Sequence, residues 1–241
     1  MTNGKSYGRP DFHTSEVSWG VKRIIVGTIL VMVSLFTAAA AALMAGEVYP
    51  AQEDALATWI SVHVMAIAIV AIVWYLGSRH GRFPISELNL GWVQRPQSHT
   101  ILLMLGVIAA SLVATSTYSK IVEWLEIDVL SPPVVDSDIL FDGVGVILTF
   151  QALALITPFS EELFFRGFVF RGLLPRVGPY GGMVISATIF SGFHISLGVL
   201  VPIFITGLLL AWLYWRTGSL WASVGAHAGQ NALALLATMV T

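Results

Sequence analysis

Three short polar islands interrupt the most apolar parts of this 241-residue chain. The first is Ser160-Glu161-Glu162-Leu163-Phe164-Phe165-Arg166, the second Phe190-Ser191-Gly192-Phe193-His194, the third His227-Ala228-Gly229-Gln230-Asn231. An ionisable side chain in mid-membrane is costly and seldom persists without a use. Adjacent helix positions diverge by about 100°, so Glu161 and Glu162 cannot serve one function from one face. Glu162 and Arg166 stand four apart and can pair, which leaves Glu161 to point elsewhere. The bland alternative, a salt-bridged helix end at the interface, sets two carboxylates against one arginine and leaves a charge over. His227 and Asn231 share a helix face at i, i+4. Their small neighbours Gly225, Ala226, Ala228 and Gly229 let other helices approach closely. Taken singly, His194 reads as a hydrogen-bonded packing residue, and His227 with Asn231 as an interhelical hydrogen-bonding pair.

Taken together, a carboxylate and imidazoles on one buried cavity are the parts needed to activate water. The glutamate takes a proton, and histidine or a bound metal polarises the molecule. Asn231 and one histidine could then stabilise the oxyanion formed when a peptide carbonyl is attacked. A serine nucleophile is the rival mechanism, with Ser160, Ser191 and Ser196 near enough in sequence, but none sits in a Gly-x-Ser-x-Gly turn. Direct attack by water is the favoured reading.

The elements that must position these residues are membrane helices. The chain is 56% hydrophobic and 11% charged, with a mean hydropathy of +0.80, too apolar and charge-poor for an ordinary soluble domain. A net charge of -2 gives no basic footprint for nucleic acid. The absence of cysteine excludes disulfides, thiolate-zinc sites and a cysteine nucleophile. Any metal would need His and carboxylate ligands. Apolar runs at 23–45, 56–76, 100–119, 142–165, 182–197, 199–215 and 219–239 predict an all-α, polytopic transmembrane bundle of about seven spans. Ala38 to Ala42 faintly resembles a signal-peptidase site, but the first run is long for a cleaved signal and reads as a retained helix.

Arg9, Lys22 and Arg23 precede the first run, whereas the next connection carries only acids, which puts the N-terminus in the cytoplasm. The alternation continues through Arg79, Arg82 and Arg95, then Arg171 and Arg176, then Arg216. The stretch 83–92, ending in Trp92, reads as a surface-lying cytoplasmic segment. Residues 120–140, acidic and broken by Pro132-Pro133, read as an extramembrane loop. The layout is a cytoplasmic tail over 1–21, N-terminal helices over 22–139 and a catalytic core over 140–241.

Depth joins the islands. Counted from a turn at 175–181, Glu161 and His194 both lie roughly 20 Å along their helices. From the turn at Thr217-Gly218, His227 and Asn231 lie roughly 13 and 20 Å along the last helix. A helix over 142–174 would exceed the membrane thickness, so its lower end should project into the cytoplasm, with Pro158 kinking it before the glutamates. His63, Ser34 and Ser111 read as packing or lumen contacts.

The ordered set Glu161-Glu162-x-x-x-Arg166, Phe190-x-x-x-His194 and His227-x-x-x-Asn231 resembles the CPBP family, which unites type II CAAX prenyl endopeptidases with bacteriocin-processing and immunity proteins. The similarity covers about residues 140–238, and the first three helices match only as generic apolar spans. The resemblance implies a multi-pass intramembrane endopeptidase, open to the cytoplasm, that cuts near the C-terminus of a membrane-held peptide. A prokaryotic inner membrane is the expected location. By motif position Glu161 would be the general base, Glu162 its partner tied to Arg166, and His194 the residue completing water activation. His227 and Asn231 would form the oxyanion site, with Arg166 and Phe190 in support. Glu161, His194 and His227 could ligate Zn2+, yet no His-Glu-x-x-His helix argues for it, and no organic cofactor is expected. The partners implied are the lipid bilayer and a protein or peptide substrate, prenylated Cys-containing tails being the family's best-known target. The alternative function is a non-proteolytic immunity or scaffold protein that binds a partner in the same cleft. A proton-coupled carrier would predict symmetry between chain halves, which is not evident.

Overall fold

The computed structural model describes residues 17–48, 52–78, 88, 97–133 and 136–240. Every regular element among the described residues is helical: α1 (Val21–Val48), α2 (Glu53–Gly77), α3 (Gln97–Leu125), α4 (Val146–Phe150), α5 (Thr157–Glu162), α6 (Arg171–Gly192), α7 (Leu197–Thr217) and α8 (Leu220–Thr238). Two π-helical stretches, Gln151–Ile156 and Leu163–Phe170, join α4 to α5 and α5 to α6, so that α4 continues into α6 without a break.

Among the described residues, five helical stretches are long and apolar enough to cross a membrane: Val21–Met44, Glu53–Gly77, Ser98–Leu125, Gly143–Gly192 and Leu197–Thr217. The fourth takes in nearly all of the expected run 142–165 and the first part of the run expected at 182–197, since the helix ends at Gly192. Between Pro175 and Pro179 the backbone at Gly178 adopts φ 68 and ψ 178, a conformation essentially confined to glycine. The limbs on either side lie antiparallel: the Ser186 hydroxyl donates to the Phe165 carbonyl at 2.8 Å, and Gly182 packs on the Phe170 ring. The turn expected at 175–181 therefore sits at Gly178. α8 is not among the five stretches; it carries His227, Gln230 and Asn231 and packs against α3, α5 and α7.

α1 and α2 form a hairpin whose lower end is tied by side chains. Arg23 Nη1 donates to the Leu76 carbonyl at 2.9 Å and Ser18 Oγ to the Gly77 carbonyl at 2.8 Å. These supply donors to the orphan carbonyls of the α2 C-terminus. Trp19, in the segment expected to be a polar tail, is buried: its indole stacks on Phe168 and donates to the Phe168 carbonyl at 2.8 Å. α3 runs to Leu125, past the expected end of its span, because nothing from Lys120 to Leu125 breaks a helix; Glu126, at φ 55, ends it. The expected surface segment 83–92 lies outside the described residues except for Leu88, which is buried and whose carbonyl accepts from the Tyr214 hydroxyl at 3.2 Å.

Candidate active site

α8 is held by a glycine seam. Gly225 and Gly229 face Met104 and Ile108 of α3, and an added Cβ would come within 2.5 Å of Met104 Cε and 2.9 Å of Ile108 Cδ1. Small residues at i and i+4 allow such close approach between membrane helices. By helical rotation His227 and Asn231 then fall on the opposite side, towards α5 and the π stretches.

There the sequence's expected pair is present. Arg166 Nη1 donates to Glu162 Oε1 at 2.7 Å, with both side chains fully buried. The arginine's second terminal nitrogen donates to the Gly207 carbonyl of α7 at 3.2 Å, and its guanidinium carbon lies 4.4 Å from the centre of the Phe190 ring. One guanidinium thus joins its own helix to α6 and α7. It does so with the planar fork and aromatic stacking that lysine lacks. Gly207 makes this approach feasible. A Cβ there would meet Ala187 Cβ at 3.0 Å, Ala187 Cα at 3.1 Å and Phe190 Cδ1 at 3.1 Å. Because Ala187 Cα is backbone, no rotamer change relieves the contact. We expect Gly207→Ala to lower stability by about 1–3 kcal/mol, as overpacking does, measurable as a fall in thermal midpoint in detergent.

Glu162 Oε1 also accepts from His227 Nδ1 at 2.9 Å. With Nδ1–H so engaged, the other ring nitrogen, Nε2, faces Glu161 Oε2 at 3.8 Å. His227 therefore bridges the two carboxylates that diverge from adjacent helix positions. Glu162 is occupied by two donors and closed to solvent, whereas the Glu161 side chain keeps 22% exposure. The residue with a free approach is Glu161.

Glu161 and His194 line one cavity of about 200 Å³. His194 Nδ1 lies 3.1 Å from the Phe190 carbonyl, an acceptor only, so Nδ1 carries the proton and a neutral ring leaves Nε2 as a base. Phe190 contacts both imidazoles edge-on, with centroids 5.2 Å from His194 and 5.9 Å from His227. The cavity's far wall is apolar and comes from α1 and α2: Val31, Leu35, Val62, Met65 and Ile69. These residues were missed in the sequence, where they are ordinary members of apolar runs with no distinguishing pattern.

Asn231 Nδ2 donates to the Leu153 carbonyl at 2.8 Å. Two of the three rival serines are turned inward on their own helices, Ser160 Oγ donating to the Thr157 carbonyl and Ser191 Oγ to the Thr188 carbonyl, each at 3.1 Å. Neither arrangement pairs a nucleophile with a base. Among the described residues no three His, Asp or Glu side chains form a metal-holding group. The trio Glu161, His194 and His227 does not converge as one: His227 is tied to Glu162 through Nδ1, while His194 opens onto the cavity.

The segment that supplies all of these polar residues, 143–233, matches the family model for type II CAAX prenyl endopeptidase, Rce1-like. This segment is of that family. It is a family of peptidases, and the match spans the three motifs on which the CPBP resemblance rests. No curated protein and no solved structure matches the chain. The Rce1-like segment begins at the first residue of the Gly143–Gly192 stretch and leaves out α1, α2 and α3, so the apolar wall of the cavity lies outside it.

Proposed function

We propose that this protein is an intramembrane endopeptidase that hydrolyses a peptide bond near the C-terminus of a membrane-held protein, using water activated by Glu161 and His194. The observation that carries this reading is the division between the two glutamates. Glu162 is spent on Arg166 and His227, while Glu161 faces a cavity shared with His194. Glu161 accepts the water proton with His194 Nε2 as second acceptor, and the hydroxide oxygen bonds to the substrate carbonyl carbon. His227, held on Glu162 through Nδ1, stands beside the growing oxyanion. Asn231 offers its second amide N–H. Collapse of the intermediate breaks the C–N bond, and Glu161 returns its proton to the leaving amine.

In this reading the chain crosses the membrane seven times, with Gly178 and Gly218 at cytoplasmic turns, the N-terminus inside and the cavity served from that side. The support is the distribution of Lys22, Arg23, Arg171, Arg176 and Arg216 at one set of helix ends. Among the described residues the donor geometry gives Zn2+ no three-residue site, so no step is routed through it. The test is incubation of the purified protein with membrane peptides, prenylated and unprenylated, with and without chelator, reading cleavage positions by mass spectrometry. We expect a cut a few residues from the C-terminus that survives chelation. If no peptide is cut in either condition, the reading fails, and cleavage that chelator abolishes would assign the water to a metal instead.

A further inference from the structure

The amide of Asn231 is fixed by a gap in the backbone of the helix opposite. In the π-helical stretch Gln151–Ile156 hydrogen bonds run from residue i to i−5, and Thr157 N–H accordingly donates to the Ala152 carbonyl. The next carbonyl in that register is Leu153, and its donor would be residue 158. Residue 158 is proline and has no N–H. The α-helical donor for Leu153 is also missing, because Thr157 N–H is the one already given to Ala152. A carbonyl without a donor inside a membrane protein is costly, and Asn231 Nδ2 supplies the bond at 2.8 Å.

The same π stretch is pinned at its first residue. Trp59 Nε1 of α2 donates to Gln151 Oε1 at 3.1 Å, and Gln151 Nε2 lies 3.0 Å from His63 Nε2. His63 Nδ1 sits 2.7 Å from the Trp59 carbonyl, so that nitrogen bears the proton and Nε2 accepts from the glutamine. The stretch is thus held by α2 at Gln151 and presents its orphan carbonyl to α8 at Leu153.

We infer that the Leu153 carbonyl, left open by Pro158, is the positioning group that orients Asn231. One amide N–H is anchored on Leu153 and the other is thereby aimed. The kinetic part of this inference rests on the peptidase reading; the anchor itself does not.

The test is a cycle on the full chain with Pro158→Ala, Asn231→Ala and the double substitution. Asn231→Ala strips Leu153 of its donor, so it should lower the thermal midpoint by several degrees in the otherwise native chain. It should do so by less than about half as much in the Pro158→Ala background, where the restored backbone N–H serves the carbonyl. Equal losses in the two backgrounds overturn the inference. If Pro158→Ala does not accumulate, Pro158→Ser restores the same N–H and serves in its place. With a peptide that the native chain cuts, Pro158→Ala should lower kcat about tenfold with KM within about twofold, since it loosens a group that acts on the transition state. Unchanged kcat in a folded Pro158→Ala protein also overturns it. The thermal cycle reads the anchor whether or not any peptide is cut, so a native chain that cleaves nothing sinks the peptidase reading alone.

Discussion

Glu161→Gln is expected to lower peptide cleavage by about 10²–10⁴-fold, the range lost when a positioned general base is removed, while the protein folds normally. Folding should survive because Glu161 makes no close ion pair. Its nearest charged partner is His227 Nε2 at 3.8 Å, and its side chain keeps partial exposure in the cavity. Cleavage rate and thermal midpoint are measured on the same preparation. A Glu161→Gln protein that cuts like the native chain removes the proposed base. If the chain is instead a scaffold that binds a partner in this cleft, Glu161→Ala leaves its phenotype unaffected, and that result discriminates the two functions.

Arg166→Met is expected to be the most damaging single change to the fold. Glu162 has no exposure and draws on Arg166 at 2.7 Å, so removal of the guanidinium strands a carboxylate that keeps its contact with His227 Nδ1 at 2.9 Å. Breaking a buried pair from one side costs about 3–5 kcal/mol, a large share of the stability of a typical domain. Arg166→Lys should recover little. A single ammonium cannot reach Glu162 and the Gly207 carbonyl together while lying flat on Phe190. The double change Glu162→Gln, Arg166→Met removes both charges and should restore most of the thermal midpoint, as replacement of buried pairs often does. It should remain poorly active, because the carboxylate that fixes His227 Nδ1 is gone. Measured midpoints that are equally low for the single and double changes would mean that the pair contributes through packing and not through charge.

The site was legible in the sequence to the extent that membrane burial makes polar residues conspicuous. Glu162 and Arg166 stand four apart and do pair; the turn expected around residue 178 is there, written by Pro175, Gly178 and Pro179. The shared depth of Glu161 and His194 followed from helical rise alone, and the two line one cavity. Pro158 was expected to kink the helix, and its neighbourhood is where the backbone widens to a π register. The burial of Trp19 was not legible, because a single tryptophan in a polar stretch looks alike whether it rests at a headgroup or in a core. Nor was the cavity's apolar wall, since Val31, Leu35, Val62, Met65 and Ile69 have the same composition as residues that face lipid.

Composition, spacing and hydropathy by themselves pointed to a helical membrane protein and to the residues that could do chemistry, and the three motifs carried the family resemblance that the match over 143–233 bears out. Those features are local or periodic, so they survive without coordinates. Tertiary structure alone decided which partner each polar group takes: His227 on Glu162, Asn231 on Leu153, Glu161 left to the cavity. Hydrogen bonds are directional and act over about 3 Å, so a choice between two adjacent glutamates depends on helix rotation and packing that no spacing rule encodes.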